Sequence, residues 1–92
     1  MTPKQRDKYL QSKYGMTLKQ YNAQLKAQKN SCAMCGKHKS NYTKSLSVDH
    51  NHKSGLTRGI VCYYCNKFRI GRHDLKSALL LYEYMMKYEG TL

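Results

Sequence analysis

Two Cys-x-x-Cys pairs, Cys32/Cys35 and Cys62/Cys65, bracket the segment Val48-Asp49-His50-Asn51-His52, and Asn66 directly follows the last cysteine. Four thiols in this pattern suit one tetrahedral zinc ion with no open coordination position, which makes the site structural and not catalytic. The bracketed segment and Asn66 add a carboxylate, imidazoles and amides, side chains that can hold a divalent metal and take a proton from water. One Asp and one amide are enough for a Mg²⁺ that keeps several waters and draws its other ligands from phosphate. An imidazole is the natural proton acceptor near neutral pH. Acidic residues number only 5, and three of them, Asp7, Glu83 and Glu89, fall in helical stretches near the ends. Chemistry with two carboxylate-rich metal sites is therefore excluded, and a one-metal mechanism fits. In a chain of formal net charge +12, this set of groups points to hydrolysis of a phosphate backbone.

These side chains need a frame. Leu46 to His50 alternates apolar and polar, a short strand signal, and Asn51 to Gly55 is rich in turn formers. Leu56 to Val61 reads as the returning strand, with Gly59 permitting close approach of another backbone. Cys62 to about Ile70 then fits a short helix. The zinc would clamp the loop before the hairpin to the start of that helix, fixing Asn66 through its neighbour Cys65. Asp49 and His50 are adjacent, so a regular strand would send them to opposite faces; the conflict eases if the strand ends at Asp49. Gly36 fits the tight turn of the first knuckle. Lys37 to Lys44 reads as a surface loop containing His38, an alternative zinc ligand made superfluous by four cysteines.

The lead-in, residues 1–30, reads as two helices. Thr2 caps the first with Pro3 and Gln5, and Gly15 ends it. Thr17 caps the second with Gln20, and Met16 and Tyr21 form a hydrophobic staple. The second helix carries a Leu18/Tyr21/Leu25 stripe. A zinc-stapled core follows over residues 31–70. A last helix, 73–90, is capped by Asp74 and closed by Gly90, and Leu75, Leu79, Tyr82 and Met86 share a face beside Ala78. Residues 1–92 form one domain, with an α+β, mostly helical fold class.

The 92-residue length offers only a small core, with 1 Phe and no Trp, so a structural zinc would make up the missing stability. Lysine and arginine total 17 and run from Lys4 to Lys87, flanking the polar cluster at Lys53, Arg58, Lys67, Arg69 and Arg72. Such a field draws polyanions, above all nucleic acid. No leader-like or membrane-length apolar run occurs, so no membrane partner is expected and a cytoplasmic, reducing setting is. There, paired cysteines are metal ligands more often than disulfides.

Together, Cys32-Ala33-Met34-Cys35-Gly36, Val48-Asp49-His50-Asn51-His52 and Gly55-Leu56-Thr57-Arg58-Gly59-Ile60-Val61-Cys62-Tyr63-Tyr64-Cys65-Asn66 resemble the phage recombination endonuclease VII family, a branch of the HNH or His-Me finger nucleases. Tyr14-Gly15-Met16-Thr17 with Gln20-Tyr21 resembles the helical lead-in of that family. The resemblance implies a ββα-metal (His-Me finger) core around the four-cysteine zinc. It implies His50 as general base, with Asp49 and Asn66 on a catalytic Mg²⁺ or Mn²⁺. His52 matches a second family histidine, in contact with phosphate or assisting the leaving group, and Arg58 a family arginine of the returning strand, a phosphate contact or a side chain packed over the motif. The expected activity is metal-dependent DNA endonuclease cleavage: nicking, duplex cutting or cleavage of branched DNA. If the chain is phage-encoded, it would act in the host cytoplasm. Family members that resolve branched DNA as dimers carry further helices past the nuclease core, whereas one helix follows it here, so both monomer and dimer stay open.

A different class of reading is a zinc-ribbon-like nucleic-acid-binding protein without catalysis. Zinc pairs and charge suit both; Asp49, His50 and Asn66 favour the enzyme. A third is a small protein that docks on another through Tyr63/Tyr64 or the Tyr82/Tyr84/Tyr88 set, since tyrosines anchor interfaces.

Overall fold

Capping boxes set the helix starts in a computed structural model that describes residues 1–91. Thr2 and Gln5 close the first box and Thr17 and Gln20 the second, each pair exchanging side-chain and backbone hydrogen bonds. They open α1 (Pro3–Tyr14) and α2 (Leu18–Ala27). Gly15 ends α1 at φ 66°, where a side chain would be strained. Met16 and Tyr21, the expected staple, are both buried. Asp7 joins the two helices: its Oδ1 accepts the Leu18 N–H at 2.7 Å, placing a negative charge at the N-terminus of α2.

The chain then forms β1 (Ser47–His50) and β2 (Thr57–Val61), an antiparallel pair. Both strands start one residue later than the alternation suggested, and β1 includes His50. Asn51 shapes the connecting loop, since its Oδ1 accepts the N–H groups of Lys53 and Ser54. The register pairs Val48 with Ile60 and His50 with Thr57. Asp49 therefore stands against two residues, Arg58 and Gly59, an irregularity of the bulge kind that re-aims side chains.

The helix expected after Cys62 forms as a π-helical turn over Cys65–Ile70, a wide winding common at functional sites. A short 3-10 turn, Lys39–Asn41, interrupts the expected loop. The last helix, α3 (Leu75–Glu89), opens on an Asp74 capping box with Ser77 and closes at Gly90.

The core gathers Leu10, Met16, Tyr21 and Leu25 from the helical lead-in, Val48, Ile60 and Val61 from the hairpin, and Leu46, Cys32, Cys62 and Cys65 around it. Tyr21 donates its hydroxyl to the Leu46 carbonyl at 2.6 Å, a buried bond tying α2 to the entry of β1. α3 contributes no buried residue, and Leu75 is 91% exposed. Its link to the hairpin loop is an ion pair, Lys53 Nζ to Asp74 Oδ2 at 2.9 Å. Among the described residues, no helix is long and apolar enough to cross a membrane.

Candidate functional site

The sulfur atoms of Cys32, Cys35, Cys62 and Cys65 all lie within 4.8 Å of one another. The cluster joins the first knuckle to the end of the hairpin and the π-helical turn, and its donor set could hold a zinc ion. No disulfide forms among the four. Backbone N–H groups of Met34, Cys35 and Cys62 point at the Cys32 sulfur at 3.3–3.4 Å, and the Cys65 N–H points at Cys62 at 3.4 Å. Arg69 donates to the Cys65 sulfur at 3.0 Å. Amides and a guanidinium so placed complement the negative charge of metal-bound sulfurs.

The four thiols are not equivalent. The Lys37 amide, followed by the Tyr42 hydroxyl 3.6 Å away, brings Cys35 down to about 6. Burial alone would raise Cys62, but hydrogen bonds from Tyr42 and the Cys65 amide outweigh it and lower the group. Burial pushes Cys65 up to about 12, with the neighbouring sulfurs raising it further. His38 stands apart, exposed and capping the 3-10 turn through Nδ1 and the Ser40 N–H.

Asp49 is buried at 4% exposure. Its carboxylate is gripped by one guanidinium: Arg58 Nε meets Oδ2 at 2.6 Å and Nη2 meets Oδ1 at 3.2 Å. Nη2 also donates to the His50 carbonyl at 3.2 Å. Of the two readings of Arg58, a phosphate contact or packing over the motif, the structure shows the second: it closes on Asp49 from the two-residue side of the bulge. Each carboxylate oxygen can accept more than one bond, so lone pairs remain on both.

The His50 ring lies between two others. Tyr14, the last residue of α1, is 5.8 Å away between centroids, and His52 is 4.6 Å away. Tyr14 went unrecognised as a neighbour of this histidine, since nothing local marks it except its position just before the helix-ending Gly15. Asn66 is the second residue of the π-helical turn, donating its backbone N–H to the Cys62 carbonyl. Among the described residues its side-chain amide makes no hydrogen bond, and none joins it to Asp49 or His50.

A carboxylate and an amide are oxygen donors of the kind a hard divalent cation takes, and among the described residues the four cysteines are the group drawn together closely enough to hold an ion. Tyr63, Tyr64 and Phe68 form an exposed aromatic group overlaid by cations. Lys44 and Lys67 lie 5.4 Å from the Tyr63 ring and Arg69 4.7 Å from the Tyr64 ring.

The chain is similar to the "Gene 59 protein" of Mycobacterium phage D29, 41% identical over 58 residues, covering 63% of this chain and 34% of that protein. It is similarly related to the "Gene 59 protein" of Mycobacterium phage L5, 40% identical over 58 residues, covering 63% of this chain and 35% of that one. The chain thus spans about a third of the length of these curated relatives. No solved structure matches it. The sequence model described as "Recombination endonuclease VII" matches residues 7–87, which takes in most of α1, all of α2, the cysteine cluster, the hairpin and most of α3. On that match, the chain belongs to the recombination endonuclease VII family.

Proposed function

We propose that this protein is a metal-dependent DNA endonuclease that hydrolyses phosphodiester bonds by a one-metal mechanism. The observation that carries the reading is the pairing of a buried carboxylate, Asp49, with an adjacent imidazole, His50, in a chain that matches an endonuclease family over residues 7–87. The hairpin and the π-helical turn are read as a His-Me finger, or ββα-metal, core of the HNH type, stapled by a structural zinc on Cys32, Cys35, Cys62 and Cys65.

His50 acts as general base, taking a proton from the attacking water at a ring nitrogen. Tyr14 and His52 limit the directions its ring can adopt. Asp49 and Asn66 hold the divalent ion, which when bound neutralises charge on the scissile phosphate and the leaving oxygen. His52 contacts phosphate or assists the leaving group. The basic surface and the cation-covered aromatics near Tyr63 draw and hold DNA.

A direct test compares supercoiled plasmid, linear duplex and a four-way junction with and without Mg²⁺ or Mn²⁺. Wild type should cut at least one of them only with the ion present, and His50→Ala should lose cleavage while keeping DNA affinity. The rival reading, a non-catalytic zinc-ribbon-like nucleic-acid-binding module, draws support from the Asp49–Arg58 pair, which uses the carboxylate structurally. Absence of metal-dependent cleavage on all three substrates, with binding retained, would establish that rival.

A further inference from the structure

The carboxylate assigned to the hydrolytic ion already has a cation on it. Arg58 directs three hydrogen bonds into this corner, two to Asp49 and one to the His50 carbonyl. The two sides of the pair differ in access: the Asp49 side chain is 6% exposed and that of Arg58 38%. Two N–H donors remain on Nη1, which makes no hydrogen bond among the described residues. The pair is thus closed toward the core and open toward solvent on the guanidinium side. A guanidinium fork with spare donors and access to water is matched to phosphate oxygens, which it can bind bidentately.

We propose that Arg58 competes with the divalent ion for Asp49, and that DNA relieves the competition. Without DNA, the guanidinium neutralises the buried carboxylate, keeps it from standing unpaired, and weakens cation binding there. When a backbone phosphate reaches the exposed face of Arg58, the guanidinium turns toward it and its hold on Asp49 slackens. Metal and DNA then bind cooperatively, and by linkage each strengthens the other equally. The hydrolytic site is assembled on substrate and held apart otherwise. This rests on Asp49 being a ligand of the ion, and adds a positioning role for Arg58 that acts through Asp49.

The test is Mn²⁺ titration of zinc-loaded protein, with free Mn²⁺ read by electron paramagnetic resonance, in a His50→Ala background so that DNA stays intact. Without DNA, Arg58→Gln should bind Mn²⁺ about tenfold more tightly than its parent. Adding Asp49→Asn should cancel that gain. A short duplex should tighten Mn²⁺ binding by the parent more than by Arg58→Gln, the difference matching the first tenfold. Zinc content and circular dichroism check the fold. If Arg58→Gln fails to fold, Arg58→Lys, which keeps the charge and loses the fork, should show a gain of severalfold. Equal Mn²⁺ affinity of parent and Arg58 variants, with Asp49→Asn still weakening it, overturns the competition and leaves Asp49 a ligand. An Asp49→Asn change without effect in any background overturns both this inference and the metal assignment beneath it.

Discussion

The Gln28 side chain treats Ile60 as a strand partner: its Oε1 accepts the Ile60 N–H at 3.0 Å and its Nε2 donates to the Ile60 carbonyl at 2.8 Å. Gln28 caps α2, so one amide ties the helical lead-in to the free edge of β2. Ile60 is fully buried, and its backbone groups have little access to replacement water. Gln28→Ala should therefore cost about 1–3 kcal/mol. Chemical denaturation of the zinc-loaded protein measures this, and a change within error would show that Ile60 finds other partners.

Gly59 sits where the first knuckle presses on β2. A Cβ added there would lie 2.9 Å from the Ala33 Cβ, closer than packed carbons tolerate. Ala33 cannot easily retreat, because its N–H is bonded to the Ile60 carbonyl at 3.0 Å and Cys32 belongs to the sulfur cluster. Gly59→Ala should destabilise by about 1–3 kcal/mol through overpacking. The companion change Ala33→Gly in the same chain should recover part of the loss, as thermal melting would reveal.

Metal affinity of the sulfur cluster should rise with pH. At neutral pH, without metal, Cys35 at about 6 is already a thiolate, whereas Cys65 at about 12 keeps its proton. Loading zinc must expel at least that proton, so affinity should fall at least about tenfold for each unit of acidification near neutrality. Below about pH 6, Cys35 protonates as well and the dependence steepens. Competition with a chromophoric chelator across this range checks the slope, and pH-independent affinity would contradict it.

Tyr63 and Tyr64 are 49% and 54% exposed and Phe68 63%, with lysines and an arginine over the rings. Protein interfaces disfavour lysine at their centres, whereas nucleic-acid surfaces combine cations with stacking rings. Tyr63→Ala with Tyr64→Ala should weaken DNA binding by about 1–3 kcal/mol for each base that stacks, without altering zinc content. Fluorescence anisotropy in rising NaCl should show steep salt dependence retained by this double variant, and Lys67→Ala should reduce the slope.

What the sequence conveyed was mostly local. Thr2, Thr17 and Asp74 announced their helices because a cap and its partner lie within three residues. The cysteines announced their cluster because ligand spacing is a property of the chain. Gly59 was legible as a point of close approach, though not its neighbour Ala33. The features that stayed hidden join distant segments: Gln28 on Ile60, Arg58 on Asp49, Tyr14 against His50. No local periodicity encodes such pairs; they exist only once the helices and hairpin have packed. The bulge opposite Asp49 escaped for a related reason, since register depends on both strands. The π-helical winding of Cys65–Ile70 arises where the chain must turn immediately after delivering two sulfurs, a tertiary demand that propensity does not register. The apolar face read on α3 exists, but it contributes no buried residue; Leu75, Ala78 and Tyr82 only line an open cleft with Met34, Arg58 and Ile70.

The four sulfurs join the first knuckle to the end of the hairpin and the turn that carries Asn66, so under the proposed function any reagent that strips metal indiscriminately would take the scaffold along with the divalent ion. Inactivation by a strong chelator therefore says nothing about which cation performs hydrolysis. Only omission and re-addition of magnesium or manganese, against a sulfur-bound ion shown to stay in place, separates the two.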